Sequence, residues 1–104
     1  MLKVFGSPLC PDCRELRANF DAHGVEYDYV DITAAMPSLK AFLRLRDSLP
    51  EFAPVKEAGA VGIPAIFNED GFVTLDWEGY LAEQGLPVVY KEPRPACRLD
   101  GEGC

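Results

Sequence analysis

The stretch "VFGSPLCPDC" (residues 4–13) decides how this chain folds, because an apolar run stops at a glycine and a helix start follows closely. The segment "LKVFG" (Leu2–Gly6) predicts a strand that ends there, since the proline of "SPLC" cannot continue a strand ladder. The next segment, "PDCRELRANFDAHG", has proline in its first turn and glycine at its end, the pattern of a helix that begins at Pro11. Cys10 and Cys13 therefore lie at a predicted strand-to-helix junction.

This Cys-x-x-Cys spacing predicts a redox site. The unpaired N–H groups and the positive end of a helix stabilise a thiolate at Cys10, which lowers its pKa below the ordinary value of about 8.5. Two intervening residues keep Cys13 one turn away, where it can attack a mixed disulfide on Cys10 and release the reduced substrate. We expect Cys10 to be the exposed thiol, and Cys13 to be half hidden on the buried helix face with Leu16 and Phe20.

The rest of the chain predicts an α/β protein. Periodicity and turn residues indicate a strand at 25–32, a helix at 38–49, a broken helical turn at 50–59, a hairpin of strands at 62–67 and 72–75, and a short helix at 76–85 capped by Asp76. The order β-α-β-α-β-β-α predicts a four-stranded mixed sheet flanked by helices in a domain at 1–85. Residues 86–104 are rich in proline and glycine and are predicted to form an extended tail.

The segment "VFGSPLCPDC", together with the strand "VEYDYVDI" and the later "GIPAIF", resembles the glutaredoxins. The sharpest elements of the resemblance are the Cys10-Pro11-x-Cys13 motif and Pro64. It implies a thioredoxin/glutaredoxin-like fold and thiol–disulfide exchange, with Cys10 and Cys13 as the catalytic residues. It also implies a cis peptide bond between Ile63 and Pro64, opposite the dithiol, with Pro11, Ile63 and Pro64 contacting the substrate.

The resemblance covers residues 1–85, with two departures from the family pattern. Ser7 and Pro8 stand where a lysine or arginine often precedes the motif, and "VTLDW" (residues 73–77) replaces a glycine pair that helps to hold glutathione. The implied substrates are protein disulfides or glutathione mixed disulfides, with glutathione as a candidate co-substrate and no bound cofactor. An upstream thiol reductant would return the protein to its dithiol form.

A second cysteine pair, Cys97 and Cys104, lies in "CRLDGEGC". We predict that it is a second redox couple that exchanges with the first, because the Asp100-Gly101 turn lets a small loop close and the tail is long enough to reach the domain. The same sequence is also compatible with two solvent-exposed thiols that have no redox role. Two further alternatives are a four-cysteine metal site, although the second spacing is wider than structural zinc prefers, and a noncatalytic thioredoxin-like binding module. The proline-containing first pair favours redox chemistry with no metal.

The composition and charge of the chain exclude several classes of partner. A chain of 104 residues has room for one domain, and its net charge of −7 opposes binding to nucleic acid or to anionic lipid. Its first residues lack the apolar run and cleavage site of a secretory signal, and its longest nearly apolar run, residues 58–67, falls short of the roughly 20 residues that cross a bilayer. We therefore expect a cytoplasmic protein with no membrane partner. Its cysteines are then expected to be catalytic, redox-sensing or metal-binding, and not a static disulfide framework.

Overall fold

The structure, a computed structural model, describes residues 1–90, so the predicted pair Cys97 and Cys104 lies outside the described residues. Its strands are β1 (Leu2–Gly6), β2 (Tyr27–Asp31), β3 (Ala65–Phe67) and β4 (Val73–Thr74). Its helices are α1 (Pro11–Ala22), α2 (Met36–Ser48), α3 (Ala53–Ala58) and α4 (Trp77–Glu83), with a 3₁₀ turn at Pro50–Phe52. The predicted order is confirmed, and the predicted broken helical turn is the 3₁₀ turn followed by α3.

The sheet has the strand order β2-β1-β3-β4. β1 runs parallel to β2, with Gly6 opposite Asp31, and antiparallel to β3, with Phe5 opposite Ala65. β4 pairs antiparallel with β3. The predicted four-stranded mixed sheet of a thioredoxin-like fold is therefore confirmed. Because β1 and β2 end where β3 begins, one edge of the sheet carries the residues after Gly6, those after Asp31 and those before Ala65. We call this edge the site edge.

Helices cover both faces of the sheet, because successive side chains of a strand point to opposite sides. Val4 faces α1 and α4, and Phe5 faces α2 and the 3₁₀ turn. The buried residues of the first face are Val4, Leu16, Phe20, Ile66, Trp77 and Leu81. Those of the second face are Phe5, Ile32, Phe42, Phe52 and Ala65. Each large side chain among them stabilises the fold by about 1.5–3 kcal/mol through burial, which holds α1 and the loop before it in place on the sheet.

The helix ends follow the local sequence. α1 begins with Pro11 in its first turn and Cys10 as its N-cap, and the chain leaves the helix through Gly24, whose φ of 69° suits glycine. The predicted cap of α4 is confirmed, since the Asp76 carboxylate accepts a hydrogen bond from the Gly79 amide at 3.0 Å. None of the helices within residues 1–90 is long and apolar enough to cross a membrane.

The chain after α4 returns to α1. The Asn19 side chain holds the backbone of Val89 at two points, donating from Nδ2 to the carbonyl at 2.9 Å and accepting at Oδ1 from the amide at 2.8 Å. His23 Nε2 lies 2.7 Å from the Pro87 carbonyl oxygen, and the Tyr90 ring packs edge-on against Trp77. The first residues of the predicted tail are therefore attached to the domain as far as Tyr90.

Candidate functional site

The loop between β1 and α1 is held by a chain of hydroxyl groups. The Leu9 amide donates to Ser7 Oγ at 3.1 Å, Ser7 Oγ lies 3.0 Å from Thr33 Oγ1, and Thr33 Oγ1 donates to Asp31 Oδ1 at 2.6 Å. Because the one hydroxyl proton of Thr33 goes to Asp31, Ser7 must be the donor in the middle contact. The buried Ser7 thus joins the loop that carries Cys10 to the end of β2.

Asp31 anchors this chain as a carboxylate. Hydrogen bonds from the hydroxyl and the amide of Thr33 lower the pKa of Asp31 below its ordinary value. Asp31, Ser7 and Thr33 were not predicted to be site residues. The Asp-x-Thr pattern of an Asx turn is the signal that could have indicated this contact.

Cys10 and Cys13 are both present as thiols, without a disulfide between them. Cys10 is 4% exposed and Cys13 is completely buried, so the expectation of an exposed Cys10 was wrong. The loop turns inward, with the Cys10 amide bonded to the Ser7 carbonyl at 3.1 Å, and Leu9, 78% exposed, takes the outward position. Position ahead of a helix does not fix which way such a loop turns.

Arg14 ties this loop to the first turn of α1. Its amide donates to the Cys10 carbonyl at 3.1 Å, and its Nη1 donates to the Pro8 carbonyl at 2.6 Å. Arg14 therefore holds the Pro8 carbonyl through its guanidinium and the Cys10 carbonyl through its amide. Pro11, the first residue of α1, is half-buried.

Ile63 and Pro64 lie at the site edge, directly before β3. Their peptide bond is cis, as the resemblance implies. Pro64 is buried and Ile63 is half-buried. The strand predicted from residue 62 begins only at Ala65, because a proline has no N–H to contribute to the ladder. The register of β1 and β3 brings this segment to the same edge as the loop that leads to Cys10.

Arg46 on α2 holds the residues that precede this proline. Its Nη2 donates to the Ala60 carbonyl at 2.7 Å and its Nε donates to the Val61 carbonyl at 2.9 Å. At Gly62, φ is 100°, a value that favours glycine, and an added side-chain carbon would lie 3.1 Å from Phe52. The segment before Ile63 is therefore fixed by α2 on one side and by the 3₁₀ turn on the other.

Tyr29 on β2 lies beside Cys13. A carbon atom added to Gly6 would come 2.6 Å from the Tyr29 hydroxyl oxygen and 3.0 Å from Cys13 Sγ, so both atoms border one small space. The guanidinium carbon of Arg17 lies 4.2 Å above the centre of the Tyr29 ring. Burial raises the pKa of Tyr29, as does its proximity to Cys13 when the sulfur is ionised, while the cationic Arg17 opposes the shift.

A metal ion has no ready set of ligands in this part of the chain. Within residues 1–90 no three or more histidine, cysteine or acidic side chains form a group that could hold a metal. Cys10 and Cys13 supply two sulfurs, so the alternative four-cysteine site needs Cys97 and Cys104, which lie outside the described residues.

Comparison with known proteins identifies relatives of this arrangement. The family model described as Glutaredoxin matches residues 2–73, which include both cysteines of the first pair and the cis proline. An uncharacterized protein of Haemophilus influenzae is 45% identical over 73 residues, covering 70% of this chain and 85% of the relative. No solved structure gives a significant match.

Proposed function

The chain belongs to the glutaredoxin family, and from this premise we propose that it is a dithiol–disulfide oxidoreductase with Cys10 as nucleophile and Cys13 as resolving thiol. One observation carries the proposal. The two unbridged thiols occupy the start of the twelve-residue helix α1, where the positive end of the helix favours a thiolate.

The proposed reaction is thiol–disulfide exchange in two steps. The Cys10 thiolate attacks one sulfur of a substrate disulfide, forms a mixed disulfide and expels the first substrate thiolate, which takes up a proton. Cys13 then loses its proton and attacks Cys10 Sγ, so that the Cys10–Cys13 disulfide forms and the second substrate thiol leaves. The substrate gains two electrons and two protons, and an upstream thiol reductant returns them to the protein.

The proposed substrates are protein disulfides, with glutathione mixed disulfides as a second class and glutathione as a candidate co-substrate. An extended peptide would pair with the backbone of Ile63, where Pro64 cannot compete because it has no N–H, and would contact Pro11 from the other side. Protein substrates rank first because "VTLDW" replaces the glycine pair that helps to hold glutathione in the family. The reductase role suits a reducing compartment, and we assign it to the cytoplasm.

We also propose that Cys97 and Cys104 form a second redox couple that exchanges with Cys10. The two hydrogen bonds between Asn19 and Val89 support this proposal, because they attach the chain to α1. Asn19 lies about 14 Å along the helix axis from Cys10. The segment from Val89 to Cys97 can extend to about 27 Å, which exceeds that separation. In the exchange, the Cys10 thiolate opens the Cys97–Cys104 disulfide, Cys13 closes on Cys10, and both tail thiols are released.

The tail couple is tested in a Cys13→Ser variant, which cannot resolve a mixed disulfide. After mild oxidation and digestion, a peptide pair joining Cys10 to Cys97 or Cys104 supports the exchange. A variant that also carries Cys97→Ser and Cys104→Ser is the control and should give no such pair. Absence of both cross-links from the Cys13→Ser variant removes the proposal.

The oxidoreductase is tested by reduction of insulin with the pre-reduced protein, with excess dithiothreitol as the thiol reductant that returns it to the dithiol form. We expect turnover for wild type and none for Cys10→Ser, with both variants folded by circular dichroism. A folded wild-type protein without turnover would favour the noncatalytic thioredoxin-like module. About one zinc ion per chain after purification without chelator, lost in Cys97→Ser, would favour the four-cysteine metal site instead.

A further inference from the structure

Within residues 1–90 the buried Tyr29 hydroxyl makes no hydrogen bond of normal geometry, although it lies close enough to Cys13 for the two groups to interact. Buried hydroxyl groups almost always have a hydrogen-bond partner, because an unmet one loses its contact with water and gains nothing in return. A phenylalanine at this position would keep the ring contacts with Arg17 and Tyr27 and avoid the cost. The hydroxyl therefore calls for an explanation that the resting structure does not contain.

The position of the Tyr29 hydroxyl relative to Cys13 explains why it is present. The hydroxyl oxygen and Cys13 Sγ border the same point above Gly6, whose missing side chain leaves the space between them open. A neutral thiol is a weak acceptor, so the phenol gains little from it in the dithiol state. A thiolate at the same place accepts a charge-assisted hydrogen bond, which is the stronger kind.

The surrounding charges keep the phenol a donor. The ionisable groups that act on Tyr29 are Cys13 and Arg17 from α1 and Asp31 from its own strand. Burial raises the pKa of the phenol, and an ionised Cys13 raises it further. Tyr29 thus retains its proton when Cys13 loses one, while the guanidinium of Arg17 places a positive charge over the ring.

We propose that Tyr29 is a positioning residue that donates a hydrogen bond to the Cys13 sulfur as the thiol ionises, and thereby accelerates resolution of the mixed disulfide. The inference rests on the proposed oxidoreductase function and deepens it. During the step Cys13 Sγ bonds to Cys10 Sγ, the bond from Cys10 to the substrate sulfur breaks, and the departing thiolate takes up a proton equivalent to the one Cys13 lost. Tyr29 keeps its own proton throughout.

The two exchange steps are measured separately with an aromatic disulfide whose thiolate product absorbs visible light. Attack by Cys10 releases the first equivalent and attack by Cys13 releases the second. The background is the full chain with Cys97→Ser and Cys104→Ser, so that only the first pair reacts. Tyr29→Phe removes the hydroxyl, and Tyr27→Phe is the matched control on the same strand, since the Tyr27 hydroxyl donates to Asp21 and accepts from Arg17 Nε.

For Tyr29→Phe we expect an unchanged first release and a second release slower by about tenfold, the size of a lost hydrogen bond to a charged group. The pH profile of the second release should move to higher pH, and thermal stability should stay equal or rise because a buried unpaired hydroxyl is gone. Tyr27→Phe should alter neither release. An unchanged second release, an unmoved pH profile, or equal slowing of both steps overturns the role of Tyr29. No release from the parent protein instead refutes the proposed function.

Discussion

The hydroxyl oxygens of Ser7 and Thr33 lie 3.0 Å apart, and this contact joins the loops that follow the parallel strands β1 and β2. Ser7 is three residues before Cys10, and Thr33 is held by the carboxylate of Asp31. The position of Cys10 therefore depends on a hydrogen-bond chain from the neighbouring strand as well as on the helix that follows it.

Replacing Ser7 with alanine should lower the free energy of unfolding by about 1 kcal/mol, because the Leu9 amide loses its acceptor and Thr33 loses its donor. Insulin reduction should also slow, since the loop carrying Cys10 is less restrained. The control is Ser48→Ala at the end of α2, where the exposed hydroxyl donates to the Arg44 carbonyl. Equal stability and full activity for Ser7→Ala and Ser48→Ala would contradict the role of this chain.

Asp31 makes the stability that this hydrogen-bond chain contributes depend on pH. Its pKa is lower in the folded protein, so its charge stabilises the fold above the unfolded value of about 3.9, and that stabilisation is lost as pH falls through the folded pKa. The stability difference between wild type and Asp31→Asn should be constant near neutral pH and shrink below about pH 4. Urea unfolding across pH measures it, with the exposed Asp28→Asn as control. A difference that does not change with pH would rule out this linkage.

The sequence predicted the elements but not the contacts between them. Glycine permits φ values that other residues rarely adopt, proline fixes φ and removes a donor, and cysteine supplies a thiol. These properties do not depend on tertiary contacts, so the junction at 4–13 and the importance of Pro64 could be inferred directly. The pairing of Gly6 with Asp31 depends on strand register, and only that register brings Tyr29 to Cys13 and Thr33 to Ser7. The burial of Cys10 depends on an inward turn of the loop that no periodicity encodes.

Replacing Arg46 should lower stability and substrate affinity more than replacing Arg44 on the same helix. Arg46→Gln removes the charged donor from the Ala60 and Val61 carbonyls, and we expect a loss of about 1 kcal/mol after allowance for partial exposure. We also expect a raised KM for insulin with little change in kcat, because the segment before Ile63 would be less fixed. The exposed Arg44→Gln should behave as wild type. Identical kinetics and stability for the two variants would argue against this role of Arg46.

Gly6 leaves room for the contact between Tyr29 and Cys13. Gly6→Ala adds a carbon 2.6 Å from the Tyr29 hydroxyl oxygen and 3.0 Å from Cys13 Sγ, so we expect destabilisation of about 1–3 kcal/mol and slower resolution. Combining it with Tyr29→Phe removes the closer clash and should recover part of the lost stability. Thermal unfolding of the single and double variants tests this. If the changes in stability of the two single variants simply add in the double variant, the Tyr29 hydroxyl is not the atom that clashes with the added carbon.

Mass spectrometry of a single turnover shows whether Cys10 attacks the substrate and Cys13 resolves the mixed disulfide. Pre-reduced wild type, Cys10→Ser and Cys13→Ser are each mixed with a peptide disulfide, quenched with acid and digested. We predict a Cys10–Cys13 disulfide in wild type, a persistent peptide adduct on Cys10 in Cys13→Ser, and no adduct on Cys13 in Cys10→Ser. An adduct on Cys13 while Cys10 remains a thiol, or no reaction of the folded wild-type protein, would contradict the account.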